Sequence, residues 1–479
     1  MIRPWISRTL LLLAVFAVCW TGTIWRWRGD NHVPSTADLA LYLLVQPLAL
    51  LLLIWLGKKL LTLALAAPAA ATADAPAADA AQAPAATPSA TPAMVPLTVL
   101  AGALRMPHGA SATELSDKVL ANQAHLELDP ELTDAEGFPV MSARVPELDG
   151  AAQQALMAPW LQQHAAGMPP LSDEQYRALA LGSAVATELA HSASTHQLLA
   201  PYLAAAGAAR AAMALPVLQV APLLPADWDQ AQRLCAGMWL LHVIEQAGWP
   251  ASRLSLSGAA ARADATPLTV IEQLALQSER EALPCLAIVL SCASHIGDAS
   301  VDEWAARGTL FSARNPHGQV PGEGAAGVLL ADAAQAAQLE TASQVRLHRA
   351  FHGKRETSAD APGRVSGTVL AELSTQALQA NAVSAGQIGL VAADTGHHAS
   401  RNGELFGMVH STLPELDPAS QLIGVAASGG NAGAVSAMAA LVLGCAHVTQ
   451  QAGHALCVSN QDPYQRCAVL LGPADTAVA

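Results

Sequence analysis

Lysine all but vanishes after residue 59: only Lys118 and Lys354 follow. With a formal net charge of −14, the chain has no basic stripe that could neutralise phosphates, which excludes nucleic acid as a partner. The seven cysteines show no CxxC and no paired spacing, so neither a disulfide framework nor a cysteine metal knuckle is built in. That usage fits a reducing compartment. There is no GxxxxGK[ST], no GxSxG and no HExxH. The first omission removes a phosphate-cradling loop, the second a nucleophile elbow, the third a helix-borne zinc site. GEGAAG (Gly322–Gly327) formally matches GxGxxG. A dinucleotide site needs a strand before the glycines and a helix after them. Here a polar loop precedes and the strand-like GVLLAD follows, so no cofactor is expected.

What is present begins with apolar sequence. The chain is 52% hydrophobic with mean hydropathy +0.31. Two uncharged runs, 9–25 and 39–57, approach the ~20 residues that a membrane span requires. Trp5, Trp25, Trp27, Tyr42 and Trp55 lie near their ends, where aromatic rings favour the headgroup region. A secretory signal is the simpler reading of the first run, but it lacks a small-residue cleavage site. Residues 1–65 are therefore expected to form a transmembrane hairpin. Arg3, Arg8, Lys58 and Lys59 outnumber Arg26 and Arg28, which places both ends in the cytoplasm. The expected location is the inner (cytoplasmic) membrane, with the bilayer as one partner. Residues 66–95, rich in Ala and Pro, read as an extended linker.

From residue 96 the pattern alternates. Strand-like stretches at Val95–Ala103, Ala214–Leu224, Leu254–Leu256, Leu286–Leu290 and Gly327–Leu330 interleave with helical spacing at Leu171–Ala206, Asp227–Gly248 and Pro267–Ser278. A second round follows. It has helices Thr375–Asn381, Glu404–His410 and Ala432–Gly444, strands Ile388–Val391 and Leu422–Val425, and a closing hairpin at Cys457–Asn460 and Cys467–Leu471. The expectation is an α/β fold of duplicated strand-helix units, divided into 96–362 and 363–479.

Few side chains suggest chemistry. His397 and His398 are adjacent, and on a regular helix or strand they would point apart. With His410 they make a conceivable but weak metal set, and a solvated loop is the simpler reading; no metal is expected. Cys292 and His295 follow a strand end, a common site position in α/β folds. A buried or pocket-lining role is the simpler account. Trp304 and Phe311 read as core or loop anchors.

Ser291–Asp332, with GEGAAGVLL, resembles the segment that follows the nucleophile helix in ketosynthases, enzymes of thiolase-like fold. Val391–Val409 and Gly424–Leu441 resemble the two segments that carry their catalytic histidines. That resemblance implies a thiolase-like layered fold. It places the nucleophilic cysteine at Ala265, beside Thr266, and the two histidines at Asp394 and Asn431. The lysine of the third segment falls on Ala426, and the glycine-rich closing loop on Ser459–Arg466. Those residues cannot do the family's chemistry: alanine has no nucleophile, and an aspartate would repel an oxyanion. The expectation is thus a non-enzyme.

The layout, with DAEGFPV (Asp134–Val140) and WLLHVIEQAGWP (Trp239–Pro250), also resembles the lipase adaptors of type VI secretion. That resemblance implies a bacterial, membrane-tethered, non-catalytic adaptor. Its partners would be a toxic phospholipase effector and a component of the secretion spike, with the oligomeric state open. Two other readings stay open: a sensor that binds an acyl group, and a divergent acyltransferase or condensing-type enzyme, built for example on Cys292 and His295.

Overall fold

In a computed structural model of the chain, the described residues are 97–146, 148–164, 170–258, 265–340, 344–363 and 365–474. They belong to one compact unit, Ala90–Ala479. The expected spans and linker lie outside the described residues. Among those described, no helix is long and apolar enough to cross a membrane. The longest, Asp173–Ala193, carries Asp173, Glu174, Arg177 and Glu188. The expected inner-membrane placement is corrected on that finding: charges spaced along the helix leave no uninterrupted apolar stretch for a bilayer core.

Strand β1 (Leu97–Arg105) is followed by helix α1 (Ala112–Leu120), a hairpin β2 (Glu127–Thr133) and β3 (Pro139–Ser142), and helices α2 (Gly150–His164) and α3 (Asp173–Ala193). Then come β4 (Leu218–Leu223), α4 (Gln230–Gln246), β5 (Leu254–Leu256), α5 (Pro267–Glu281), β6 (Leu286–Ser294), α6 (Asp298–Ala306) and β7 (Glu323–Ala331). Leaving short helical turns unnumbered, there follow β8 (Val345–Leu347), β9 (Phe351–Lys354), α7 (Thr368–Ala380), β10 (Ile388–Ala393), α8 (Ala399–Thr412), β11 (Leu422–Gly424), α9 (Val435–Gln451), β12 (His454–Ser459) and β13 (Gln465–Pro473).

Local sequence explains the helix starts. Ser172 with Gln175, Asp229 with Gln232, and Thr266 with Thr269 each form a capping box at the head of α3, α4 and α5. Pro267 takes the first position of α5, where its missing N–H removes nothing. Gly248, with φ +110, ends the turn after α4.

The strands run β11-β10-β12-β13-β8-β1-β7-β6-β4-β5, with β9 added on β13. Set aside the hairpin and β9, and number the strands of each round by chain order. Both rounds then read third-second-fourth-fifth-first. β4 is parallel to β5 and β6, while β7 is antiparallel to β6 and β1. β10 is parallel to β11 and β12, while β13 is antiparallel to β12 and β8. The two rounds meet where β1 pairs antiparallel with β8. The duplication expected from alternation is therefore a duplication of topology.

Every residue of β6 and β7 is buried, as central strands covered on both faces must be. Leu286, Ile288, Leu290 and Cys292 pack in one core with α3 and α4. The alternate residues Ala287, Val289 and Ala293 join a second core with α5 and α9. That second core also takes Leu390, Ala392, Ala455 and Cys457 from the other round, so α5 and α9 form a shared central layer. Helices α7 and α8 cover the far face of the second round.

Candidate functional site

GEGAAG opens β7, as its strand-like continuation implied. A Cβ on Gly324 would come 2.6 Å from Met106 Sδ and 3.3 Å from Val435 Cγ1. One on Gly322 would collide with the Gly429 carbonyl. These glycines let the first round close against the head of α9. Glu323 accepts hydrogen bonds from Arg177, Ser294 and the Val145 N–H.

The head of α9 faces the head of α5. Between them is a cavity of about 200 Å³, lined by Ala265, Ala293, Gly433 and Ala434, by Leu223 and Leu224 at the end of β4, and by Arg233 of α4. It lies at the carboxyl ends of parallel strands, where open α/β sheets bind ligands. The dipoles of both helices bring positive potential to that end, although at α5 Pro267 has no N–H and Thr266 takes those of Thr269 and Val270. The Arg233 guanidinium makes no hydrogen bond or ion pair with a described residue. Larger hollows of about 940 Å³ and 990 Å³ lie at the surface, beside the β2–β3 hairpin and along α8.

Of the three positions singled out from the sequence, Ala265 alone lines this cavity. Thr266 is the cap of α5; its Oγ1 accepts from the Thr269 N–H at 3.3 Å and lies 3.1 Å from Thr269 Oγ1. Asp394 is buried and turned the other way. One of its oxygens accepts from Ser459 Oγ at 2.5 Å; the other accepts from the N–H groups of Asn460 and Gln461, at 2.8 and 3.1 Å. Burial pushes its pKa up, against the pull of those donors and of Arg466. Thr395 Oγ1 donates to Asn460 and the Gly396 N–H to Gln461. DTG and SNQ thus form a polar zip that ties the end of β10 to the β12–β13 turn. Asn431 Nδ2 donates to Gln319 Oε1 at 2.8 Å, and its Oδ1 accepts from the Gly433 N–H. It pins the loop before β7 to the head of α9.

Cys292 and His295 separate. Cys292 borders the cavity together with Ser291, but its side chain is buried in the outer core, with Sγ facing Gly182 of α3. Burial pushes its thiol up to about 12, so it does not supply a thiolate. His295 Nδ1 lies 3.3 Å from Ser300 Oγ, and Ser300 Oγ donates to Glu174. His397 and His398 do not point apart, and both are half-buried rather than fully solvated. They sit in the turn before α8 with rings stacked at 4.5 Å, and Phe311 is edge-on to His397. His410 sits at the other end of α8, and no group of metal-ligating side chains occurs among the described residues. Trp304 is buried in a small core under the hairpin, as an anchor should be. Arg233 was not singled out from the sequence. Nothing in RLCAGMW distinguishes a guanidinium that lines a cavity from one in solvent.

The fold matches solved ketosynthase structures. The oxazolomycin ketosynthase domain of Streptomyces albus superposes with a TM-score of 0.52 at 12% identity, over 79% of this chain and 75% of that one. The ishigamide ketosynthase/chain length factor gives 0.51 at 10% identity, over 80% of this chain and 100% of that one. The module 1 ketosynthase of the bacillaene synthase from Bacillus amyloliquefaciens gives 0.50 at 13%, over 81% and 74%. No protein-family model matches the chain. No curated protein matches it.

At this identity the likeness is one of fold, and it corrects two expectations. The secretion-adaptor reading, with its phospholipase client and spike partner, gives way: the fold is shared with condensing proteins. The expectation of a non-enzyme is withdrawn with it. Of the three positions on which that expectation rests, Asp394 and Asn431 serve as loop ties, and Ala265 borders a cavity. The chain has a mixed α/β, thiolase-like ketosynthase fold.

Proposed function

We propose that this chain binds an acyl group in the cavity between the heads of α5 and α9 and acts as a divergent acyltransferase or condensing-type enzyme. The observation that carries the reading is the cavity itself: walled largely by small and apolar side chains, bordered by Ser291 and Arg233, and set between two helix N-termini in a fold shared with ketosynthases. Small side chains at Ala265, Ala293, Gly433 and Ala434 leave room for a short acyl chain. The positive ends of the two helix dipoles suit a carbonyl oxygen that gains negative charge as the acyl bond is attacked. With no thiolate at Ala265, transfer would run directly from a bound thioester to a bound acceptor.

The test uses the full-length chain with a series of acyl-CoA thioesters. Thermal stabilisation by a short acyl thioester, together with CoA release, is expected. Ala265→Phe should abolish both by filling the cavity. If no thioester stabilises the protein or is consumed, or if Ala265→Phe changes nothing, the reading fails.

A further inference from the structure

Two buried ring nitrogens in the turn before α8 have no partner: Nε2 of His397 and Nδ1 of His398. The other nitrogen of the His398 ring is engaged. His398 Nε2 donates to the His317 carbonyl at 2.9 Å, which leaves Nδ1 as the bare nitrogen of a neutral imidazole. The Gly318 carbonyl faces His397. Both carbonyls belong to the loop before β7. Neutral histidines thus hold that loop to α8, and each keeps a lone pair in a site with no donor.

Protonating either ring would bury an N–H with no acceptor and set a cation against its stacked neighbour. The surroundings oppose it further. His398 is the residue that opens α8, where the helix dipole is positive. Arg401 lies one turn on, and His317 stands across the loop. The facing acid is Asp360, which is ion-paired to Arg401 at 2.7 Å. Metal binding is not the answer to the bare nitrogens. Rings 4.5 Å apart and 28° from parallel keep their in-plane lone pairs in separate planes, so the two do not meet on one ion.

We propose that the His397–His398 stack is an acid-sensitive clasp, holding the segment from Phe311 to Gln319 against the head of α8 at neutral pH and releasing it on acidification. The consequence reaches the cavity. Gln319 accepts from Asn431 Nδ2, the Val320 carbonyl accepts from the Asn431 N–H, and Gly433 and Ala434 of the cavity wall follow directly. This inference does not depend on the chemistry proposed above.

Burial is the first cause of the downward pKa shift of both rings, and their mutual repulsion and His317 add to it for His397. A folded-state pKa below the ordinary 6.5 means that the clasp is fully stable above pH 6.5 and weakens as pH falls toward the lowered value. Hydrogen exchange of the full chain, corrected for intrinsic rates, tests it at pH 7.5 and pH 5.0. Amides of residues 311–319 should lose protection at pH 5.0 by about tenfold for each pH unit of disfavoured protonation, while β6 and β7 are unchanged. His397→Phe, which keeps the stack and removes one of the two titrating rings, should show a smaller loss than wild type, because only His398 then titrates. Equal wild-type protection at both pH values, or the same loss in His397→Phe, overturns the proposal. If that variant does not fold, histidine Cε1–H NMR titration of the wild type decides: both rings must titrate below 6.5, and a midpoint at or above it for either one overturns the clasp.

Discussion

Arg177 and Glu323, 146 residues apart, form a two-pronged ion pair in the interior, with Nε–Oε2 at 2.9 Å and Nη2–Oε1 at 2.5 Å. Their side chains are 8% and 0% exposed. The second round has a counterpart with the charges exchanged. Arg466 of β13 binds Glu404 of α8 at 2.8 Å, and Arg355 adds a further contact at 3.2 Å. Each round therefore fixes the start of its last strand to an outer helix through a buried glutamate, held by one arginine in the first round and by two in the second. The conspicuous glutamate of GEGAAG is a structural hub.

Arg177→Met should strand Glu323 as an uncompensated buried charge and destabilise the protein by about 3–5 kcal/mol. The double variant Arg177→Met/Glu323→Leu should recover most of that loss, because no buried charge is left over. Urea unfolding of the three proteins checks both. A single variant that loses less than ~1 kcal/mol would show that water reaches the pair.

Asp394 is predicted to be a loop tie. Asp394→Ala leaves the donors of Ser459, Asn460 and Gln461 unsatisfied in a buried site, at about 1–3 kcal/mol for each that finds no water. Asp394→Asn keeps an acceptor for the two N–H groups, and its amide can donate to Ser459, so it should lie within ~1 kcal/mol of wild type. Asp394→His, which restores the residue type of active ketosynthases, should be destabilised like the alanine variant. Thermal melts of the three variants decide this ranking.

The six described cysteines, Cys235, Cys285, Cys292, Cys445, Cys457 and Cys467, are all buried and reduced. None of them should react quickly with a thiol reagent in the native state. A new thiol from Ala265→Cys would sit beside the cap of α5, where the helix start favours a thiolate. It should be alkylated at least ~10-fold faster than any of the six, as read by peptide mass spectrometry. Comparable rates would mean that the α5 head does not activate a nucleophile.

The β2–β3 hairpin should be acid-sensitive. Burial raises the Asp129 pKa, but hydrogen bonds from Arg144, Ser142 and the N–H groups of Glu131 and Leu132 outweigh it and bring it down to about 2. A carboxyl depressed from 3.8 stabilises the fold above that pH, and the contribution is lost as pH falls from about 4 toward 2. The full contribution is ~2 kcal/mol. Hydrogen exchange at residues 127–142 should rise across that window, and Asp129→Asn should remove the pH dependence.

Period and punctuation carry the legible part of the fold. Leu254–Leu256 is a strand with the bounds that its flanking turns imply, and the head of α5 is written in Thr266–Pro267. The β2–β3 hairpin was not legible. ELDPELT buries only Asp129 and Leu132, so it has no two-residue alternation to detect. The histidine stack was missed for a related reason. Adjacent side chains diverge on a helix or strand, but His397 and His398 sit in neither; they lie in the turn that opens α8.

By itself the sequence determined the α/β alternation and a likeness of its second half to the strand and loop pattern of the ketosynthase fold. Those are properties of residue order, and local chemistry settles them. Tertiary structure alone decided that both rounds share one strand order, that Asp394 and Asn431 turn to neighbouring loops, and that Arg233 reaches a cavity between two helix heads. Such facts depend on which distant residues pack together, and burial with hydrogen-bond satisfaction selects those partners only when the whole chain is folded.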